Sequence, residues 1–312
     1  MPGAPGTILR YNADSVLIYY IYPMFAQFLK PGDSQPRLGF VIASQLVDLS
    51  LAAPCLPRDL LALIREGDEA LAQAAQAAKL APASAHLALN AVQWLMPISQ
   101  PGKIICLGLN YAEHAKEGGN APPTYPSFFL RVNSSLMAHQ APMVRPKVSD
   151  KLDYEAELAV IIGKRARHLT PANALQAVAG YSCFNDGSLR DYQRKTTQWT
   201  IGKNFDGTGA FGPGMVPASA LPPGAAGLHI ESRLNGKVMQ SDNTGNKMFP
   251  VVQTLCWLSE VMTLEPGDVI AMGTPSGVGY ARTPPVFMKA GDRIEVEIEG
   301  IGTLANTVVD EA

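Results

Sequence analysis

Two hydrophobic rhythms run along the chain, a period of two over short stretches and a period near 3.6 over a few longer ones. Residues 37–42 and 45–49 alternate apolar with polar positions and predict a short hairpin. Residues 57–66 and 68–80 follow the helical period, the second with a high share of Ala. A loop carrying Pro97 and Pro101 leads into 103–107, a short apolar strand. A domain boundary is expected there. It divides a small N-terminal α+β domain, residues 1–100, from a larger one over 101–312.

The second part is richer in strands. Candidates are 127–132, 155–162, 180–185, 268–272 and 293–298, the last turning at Glu299-Gly300 to pair with 303–309. Residues 228–234 run into Asn235-Gly236, the strongest short signal for a hairpin. Thr170 can cap a helix and Pro171 suits a first helical turn, so a helix through Ala179 is expected. A second helix is expected over 250–262. Many strands, two hairpins and few helices predict an α+β fold. Its form is a mixed, mainly antiparallel β roll rather than a doubly wound sheet.

Charge and composition narrow the function. With 312 residues, 47% hydrophobic and 17% charged, the chain is an ordinary folded enzyme in composition. A formal charge of −2 gives no basic excess for nucleic acid. No apolar run reaches the ~18 residues of a membrane span. Residues 16–28 are apolar but short and interrupted by Tyr, Gln and Pro; with no basic leader or cleavage site, a signal peptide is not expected. Cys55, Cys106, Cys183 and Cys256 form no CxxC pair. They read as reduced thiols of a cytoplasmic protein, extracellular disulfides being the lesser alternative.

The central chemical signal is Leu152-Asp153-Tyr154-Glu155-Ala156-Glu157, followed by an apolar run. Side chains i and i+2 share a face of a strand, so Glu155 and Glu157 lie side by side. Two carboxylates near a core repel and lose hydration, and something must compensate. Asp186 ends the next strand and adds a third carboxylate. Three such oxygens suit a hard cation such as Mg²⁺ or Mn²⁺. The plainer alternative is a solvated sheet face.

A second signal is the short helical stretch 111–117, which ends at Gly118-Gly119 and reads as a small mobile lid. His114 and Glu117 are three apart and neighbours on a helix surface. A carboxylate beside an imidazole orients it for proton transfer at neutral pH. Lys203, in a glycine-rich loop, either holds an oxyanion or is solvated beside a turn. In the segment 273–279, backbone amides and the Thr274 hydroxyl either bind a carboxylate or form a plain connection. Arg190 either reaches substrate or braces the carboxylates.

Taken in order, six pieces resemble the fumarylacetoacetate hydrolase family over residues 100–310. They are Asn110-Tyr111-x-x-His114-x-x-Glu117, Glu155-x-Glu157, Asn185-Asp186-x-Ser188-x-Arg190-Asp191, Gly202-Lys203-x-x-Asp206, Asn243-Thr244 and Gly273-Thr274-Pro275. The resemblance implies a β roll with a smaller N-terminal domain, usually a homodimer. It implies Mg²⁺, Mn²⁺ or, alternatively, Ca²⁺ on Glu155, Glu157 and Asp186, with a small 2-oxo acid completing the coordination. His114 and Glu117 would activate water, Lys203 would stabilise the departing enolate, and Tyr111, Arg131, Arg190 and Thr274 would contact substrate. Ser188 replaces the usual Thr, and Arg131 replaces a frequent Lys with a rigid fork that is not interchangeable with it. Residues 11–36 are longer and more aromatic than the family pattern, and nothing in the sequence accounts for them. The expected activity is metal-dependent C–C hydrolysis of an acylpyruvate such as fumarylpyruvate in aromatic catabolism. The alternatives are an isomerase or decarboxylase of an unsaturated 2-hydroxy or 2-oxo dicarboxylate, and a non-catalytic metabolite-binding member.

Overall fold

The computed structural model describes residues 20–312. The strands of the first part are β1 (Tyr20–Leu29), β2 (Arg37–Ala43), β3 (Gln45–Asp48), β4 (His86–Ala88) and β5 (Gln93–Leu95). Then come β6 (Ile104–Gly108), β7 (Ser127–Arg131), β8 (Leu136–Met137), β9 (Met143–Arg145) and β10 (Leu152–Asp153). The centre of the chain supplies β11 (Ala156–Ile162), β12 (Val178–Asp186), β13 (Ser188–Leu189) and β14 (Gly209–Pro217). The rest are β15 (His229–Leu234), β16 (Lys237–Asn243), β17 (Val269–Ala271), β18 (Arg293–Ile298) and β19 (Gly302–Asp310). The α-helices are α1 (Leu49–Ala52), α2 (Leu60–Glu66), α3 (Asp68–Lys79), α4 (Ala112–Glu117), α5 (Arg190–Gln193), α6 (Thr200–Lys203) and α7 (Val251–Val261).

One large sheet runs β4-β3-β2-β1-β14-β12-β11-β17-β6-β7, with β5 on β1 and β8 on β14. A five-stranded sheet runs β16-β15-β18-β19-β9. Pairing is antiparallel except at β17–β6, β14–β8 and β19–β9. This is the mixed, mainly antiparallel α+β architecture expected, and no sheet among the described residues closes into a barrel. Because β1 pairs with β14, the first hundred residues and the remainder share the large sheet. Residues 16–19 of the apolar stretch, and 11–19 of the segment without a sequence explanation, lie outside the described residues. Residues 20–29 of both form β1.

β11 and β12 are buried along their whole length, which is why they read as continuous apolar runs rather than alternating ones. Alternate residues face two cores. Leu158, Val160 and Ile162 pack towards Ile294, Val296 and Leu304 of the smaller sheet. Ala159 and Ile161 pack with Leu60, Leu63 and Ile64 of α2. Each such buried aliphatic contributes about 1.5–3 kcal/mol.

Most predicted elements form, with shifted ends. α2 begins at Leu60 rather than 57 because the Asp59 side chain accepts from Ala62 N at 2.9 Å and caps it. The turn at Asn235-Gly236 is left-handed at both positions, with φ of 52° and 78°, as a tight hairpin requires. The helix expected through Ala179 does not form. The Asn173 side chain accepts from Thr170 N and closes a local turn, only Ala174–Ala177 make a 3-10 turn, and Val178 already pairs with Ile162.

Candidate active site

The register of β11 against β12 assembles the carboxylates. Glu157 lies opposite Phe184 and Ala156 opposite Asn185, and Asp186 N donates to Glu155 O at 3.0 Å. The odd positions of β11 and the even ones of β12 therefore share a face, so Glu155, Glu157 and Asp186 point together. Each offers an oxygen within 4.8 Å of the other two, and all three are buried.

Cations surround them unevenly. Lys203 Nζ sits 2.6 Å from Glu155 Oε2 and 2.5 Å from Asp186 Oδ2. Arg131 Nη1 lies 2.5 Å from Asp186 Oδ1 and also donates to Gly187 O. Arg190 Nε donates to Asp153 Oδ2 at 2.8 Å. Its Nη2 is 2.7 Å from Glu155 Oε1 yet makes no aligned hydrogen bond, so that contact is ionic only. Burial raises the Glu155 pKa, but Lys203 and Arg190 outweigh it and hold the group at about 2. Glu157 has no ion pair among the described residues; its Oε2 accepts from Gly273 N at 2.8 Å. Burial, and then the charges of Asp186 and Glu155, push its pKa well above the usual carboxylate range.

This arrangement fits a divalent cation. Asp153, Glu155, Glu157 and Asp186 face only Arg131, Arg190 and Lys203, and Glu157 Oε1 has no protein donor among the described residues. An all-carboxylate donor set left one positive charge short suits a hard ion.

Above the carboxylates, α4 forms as predicted. His114 Nδ1 is 2.8 Å from Glu117 Oε1. An ionised carboxylate only accepts, so Nδ1 carries the proton and Nε2 of the neutral ring keeps its lone pair. Glu117 Oε2 accepts from Gly277 N at 2.8 Å and ties the helix to the loop after β17. Gly277 has φ of 103°, and a Cβ there would meet Met239 O at 2.3 Å, so only glycine fits this approach.

His114, Glu155, Glu157, Arg190, Lys203 and Thr274 line one cavity of about 430 Å³. Two predicted substrate contacts are not on its wall. The Arg131 side chain is fully buried and spends its donors on Asp186, Gly187 O, Thr208 Oγ1 and Ser135 Oγ. Its guanidinium braces one of the three clustered carboxylates. Tyr111 is 2% exposed, and its hydroxyl is buried without a hydrogen-bond partner. It stands at the N-cap position of α4 without a side-chain capping bond, and burial raises its pKa. Lys203 is not in a loop but ends α6.

The amides of the segment after β17 bind protein carboxylates. Gly273 N serves Glu157, Gly277 N serves Glu117, and Gly279 N and Tyr280 N both serve Asp153. Asp153 and Gln240 went unassigned in the sequence. Gln240 accepts from Ala156 N and Ser232 Oγ and donates to Thr274 Oγ1, joining the ligand strand to the loop. The signal available for Asp153 was its place two residues before Glu155, on the same face of an extended segment. Gln240 had none.

The family profile described as fumarylacetoacetate (FAA) hydrolase C-terminal matches residues 103–309. The mitochondrial oxaloacetate tautomerase of Rattus norvegicus is 37% identical over 286 residues, covering 91% of this chain and 90% of that one. The fumarylacetoacetate hydrolase structure from psychrophilic Exiguobacterium antarcticum superposes with a TM-score of 0.79 at 38% identity, covering 93% of this chain and 100% of that one. The maleylpyruvate hydrolase of Sphingobium, in complex with manganese(II) and pyruvate, gives 0.75 at 30% identity, covering 93% and 100%. The cytoplasmic expectation is overturned: relatives similar over nine-tenths of the chain are mitochondrial proteins. Dispersed free thiols mark a reducing compartment without naming which one, so the cysteines never carried that assignment. Sheet order, carboxylate cluster, profile match and whole-length similarity agree, and the chain belongs to the fumarylacetoacetate hydrolase family as one of its enzymes.

Proposed function

We propose that the enzyme interconverts the keto and enol forms of a small 2-oxo dicarboxylate of the oxaloacetate type, with Mg²⁺ or Mn²⁺ held by Glu155, Glu157 and Asp186. The observation that carries this is the similarity to oxaloacetate tautomerases along nine-tenths of both chains, on top of an enolising site. Ca²⁺ would suit the same oxygens but orders a small ligand less strictly.

The chain's own groups account for the proton traffic. His114 lines the cavity, and with Nδ1–H given to Glu117 the Nε2 of its neutral ring can take a proton from the carbon beside the 2-oxo group and pass it to the enolate oxygen, the reverse transfers restoring the keto acid. Glu117 fixes the tautomer and steadies the imidazolium that results. The Lys203 ammonium, 2% exposed, is a fixed donor for negative charge developing on the 2-oxo oxygen. A bound divalent cation would add Lewis-acid stabilisation of that charge.

Hydrolysis of an acylpyruvate, the first expectation from sequence, is kept as the second reading. One observation favours it: a His–Glu pair on the cavity wall is also the apparatus that activates water.

A panel of 2-oxo acids incubated with protein and Mn²⁺ separates the two. Faster loss of enol absorbance with unchanged product mass supports tautomerisation. Two product acids from an acylpyruvate, with no effect on oxaloacetate enol, would replace it with hydrolysis.

A further inference from the structure

At the mouth of the cavity, Arg194 follows α5 directly, its N–H bonded to Arg190 O at 3.2 Å. Its guanidinium lies 4.3 Å from the centre of the Tyr280 ring. Arg190 lies 4.5 Å from the centre of the same ring. Arg194 and Tyr280 both line the cavity that holds the carboxylate cluster.

The charges here are out of balance in the opposite sense to those at the cavity floor. Arg190 is 5% exposed and is neutralised by Asp153 and Glu155. Arg194 makes no ion pair or side-chain hydrogen bond with any described residue. Two guanidinium groups gathered on one aromatic ring repel each other, and the ring attracts each only modestly. An anion beside them would remove that cost. Arg190 Nη2 is in ionic contact with Glu155 but has no aligned hydrogen-bond partner among the described residues, so it keeps donor capacity in the same region.

One half of the arrangement is anchored. Asp153 Oδ2 accepts from both Arg190 Nε and the Tyr280 backbone N–H, so the segment that carries the ring is tied to the first guanidinium by one buried carboxylate. The exposed Arg194 side chain meets that anchored ring face at the cavity. The planar fork of Arg matches a carboxylate in two-point contact.

We infer that Arg194, presented by Tyr280, binds the acid group of the substrate farther from the 2-oxo function, and so selects dicarboxylates over 2-oxo monoacids. This rests on the proposed 2-oxo acid chemistry and adds its specificity. Arg194 is a specificity-determining residue, outside the proton-transferring set.

The test pairs substrates that differ only in that group. Turnover is measured on oxaloacetate and 2-oxobutyrate for wild type, Arg194→Met and Arg194→Lys. Equilibrium binding of 2-oxoglutarate and 2-oxopentanoate to the Mn²⁺-loaded protein is measured by calorimetry. Arg194→Met should raise KM for oxaloacetate about tenfold or more with kcat little changed, from the usual strength of a charge-assisted hydrogen bond. It should leave 2-oxobutyrate within twofold and erase the binding preference for 2-oxoglutarate, and Lys should restore part of both. Equal losses on both members of a pair, or no change on either, overturn the assignment. A wild type that binds 2-oxoglutarate preferentially yet accelerates no 2-oxo acid would sink the proposed activity and leave the Arg194 assignment standing.

Discussion

Of the four buried carboxylates around the cavity, Glu157 alone lacks an ion pair among the described residues, and burial, then the charges of Asp186 and Glu155, raise its pKa. Below the pKa of Glu157 a cation would compete with its proton, so metal affinity should rise as pH rises through that pKa. In chelator the sign reverses for the fold. A carboxyl whose pKa is higher in the folded chain than in the unfolded one favours folding below the unfolded value and loses that contribution as pH rises. Glu157→Gln should weaken Mn²⁺ binding about tenfold or more and flatten its pH dependence, both read by calorimetry at several pH values. Unchanged affinity would remove Glu157 from the ligand set. Arg131→Met removes one of the two cations on buried Asp186 and leaves Lys203 as its remaining partner, so the loss should lie at or below the ~3–5 kcal/mol of a fully broken buried pair. Denaturant titration should show a loss of that size. The ligand carboxylates and the His114–Glu117 pair were readable in the sequence because strand and helix periods alone decide which side chains are neighbours. Arg131 and Tyr111 were not. Whether a long side chain reaches a cavity or turns to brace a neighbour is decided by packing between distant strands.

Elements carry the next level of constraint. Between ligand Asp186 and Ser188, Gly187 lies so close to the strand beside it that a Cβ would meet Thr208 O at 2.0 Å. Gly187→Ala must therefore part β12 from the approach to β14. It should cost about 1–3 kcal/mol by overpacking and lower metal affinity, since Asp186 moves with it. Thermal melts and Mn²⁺ titration of the variant check both. Between β8 and β9, His139 is buried against Trp94, and its Nδ1 accepts from Ala305 N of β19 at 3.0 Å. Burial, and then Arg293, lower its pKa from 6.5 to about 3. The unfolded chain protonates first, so this histidine's contribution is present above pH 6.5 and is lost as pH falls towards 3. The loss is on the order of 5 kcal/mol at most. His139→Asn keeps an acceptor without the titration, so the stability gap between wild type and variant should narrow on acidification. Strands and the two hairpins were predictable at this scale because their patterns are local. The failed helix through Ala179 shows the limit: Thr170 and Pro171 suit a helix start, but Asn173 closes a turn and Val178 is claimed by its neighbour across the sheet.

For the molecule as a whole, the central strands are covered on both faces, and the carboxylate cluster sits where the large sheet, α6 and the segment after β17 converge. A cation bound there links parts distant in sequence and stabilises only the folded chain. Saturating Mn²⁺ at a hundredfold over its dissociation constant should add about 2.7 kcal/mol, or a rise in Tm on the order of 5 °C. EDTA should return the protein to the lower transition and abolish turnover, and scanning calorimetry with and without chelator checks the first. A melting curve indifferent to both would argue against an ion at this place.

The ammonium of Lys203 already spans Glu155 and Asp186, so two of the three acids have a tethered counterion that never leaves. Loss of a bound divalent ion would therefore leave a tuned pocket rather than a bundle of mutually repelling anions, and the fold should outlive demetallation. Such a protein could be loaded and unloaded repeatedly, with a working fraction that would track whichever free ion its surroundings supply.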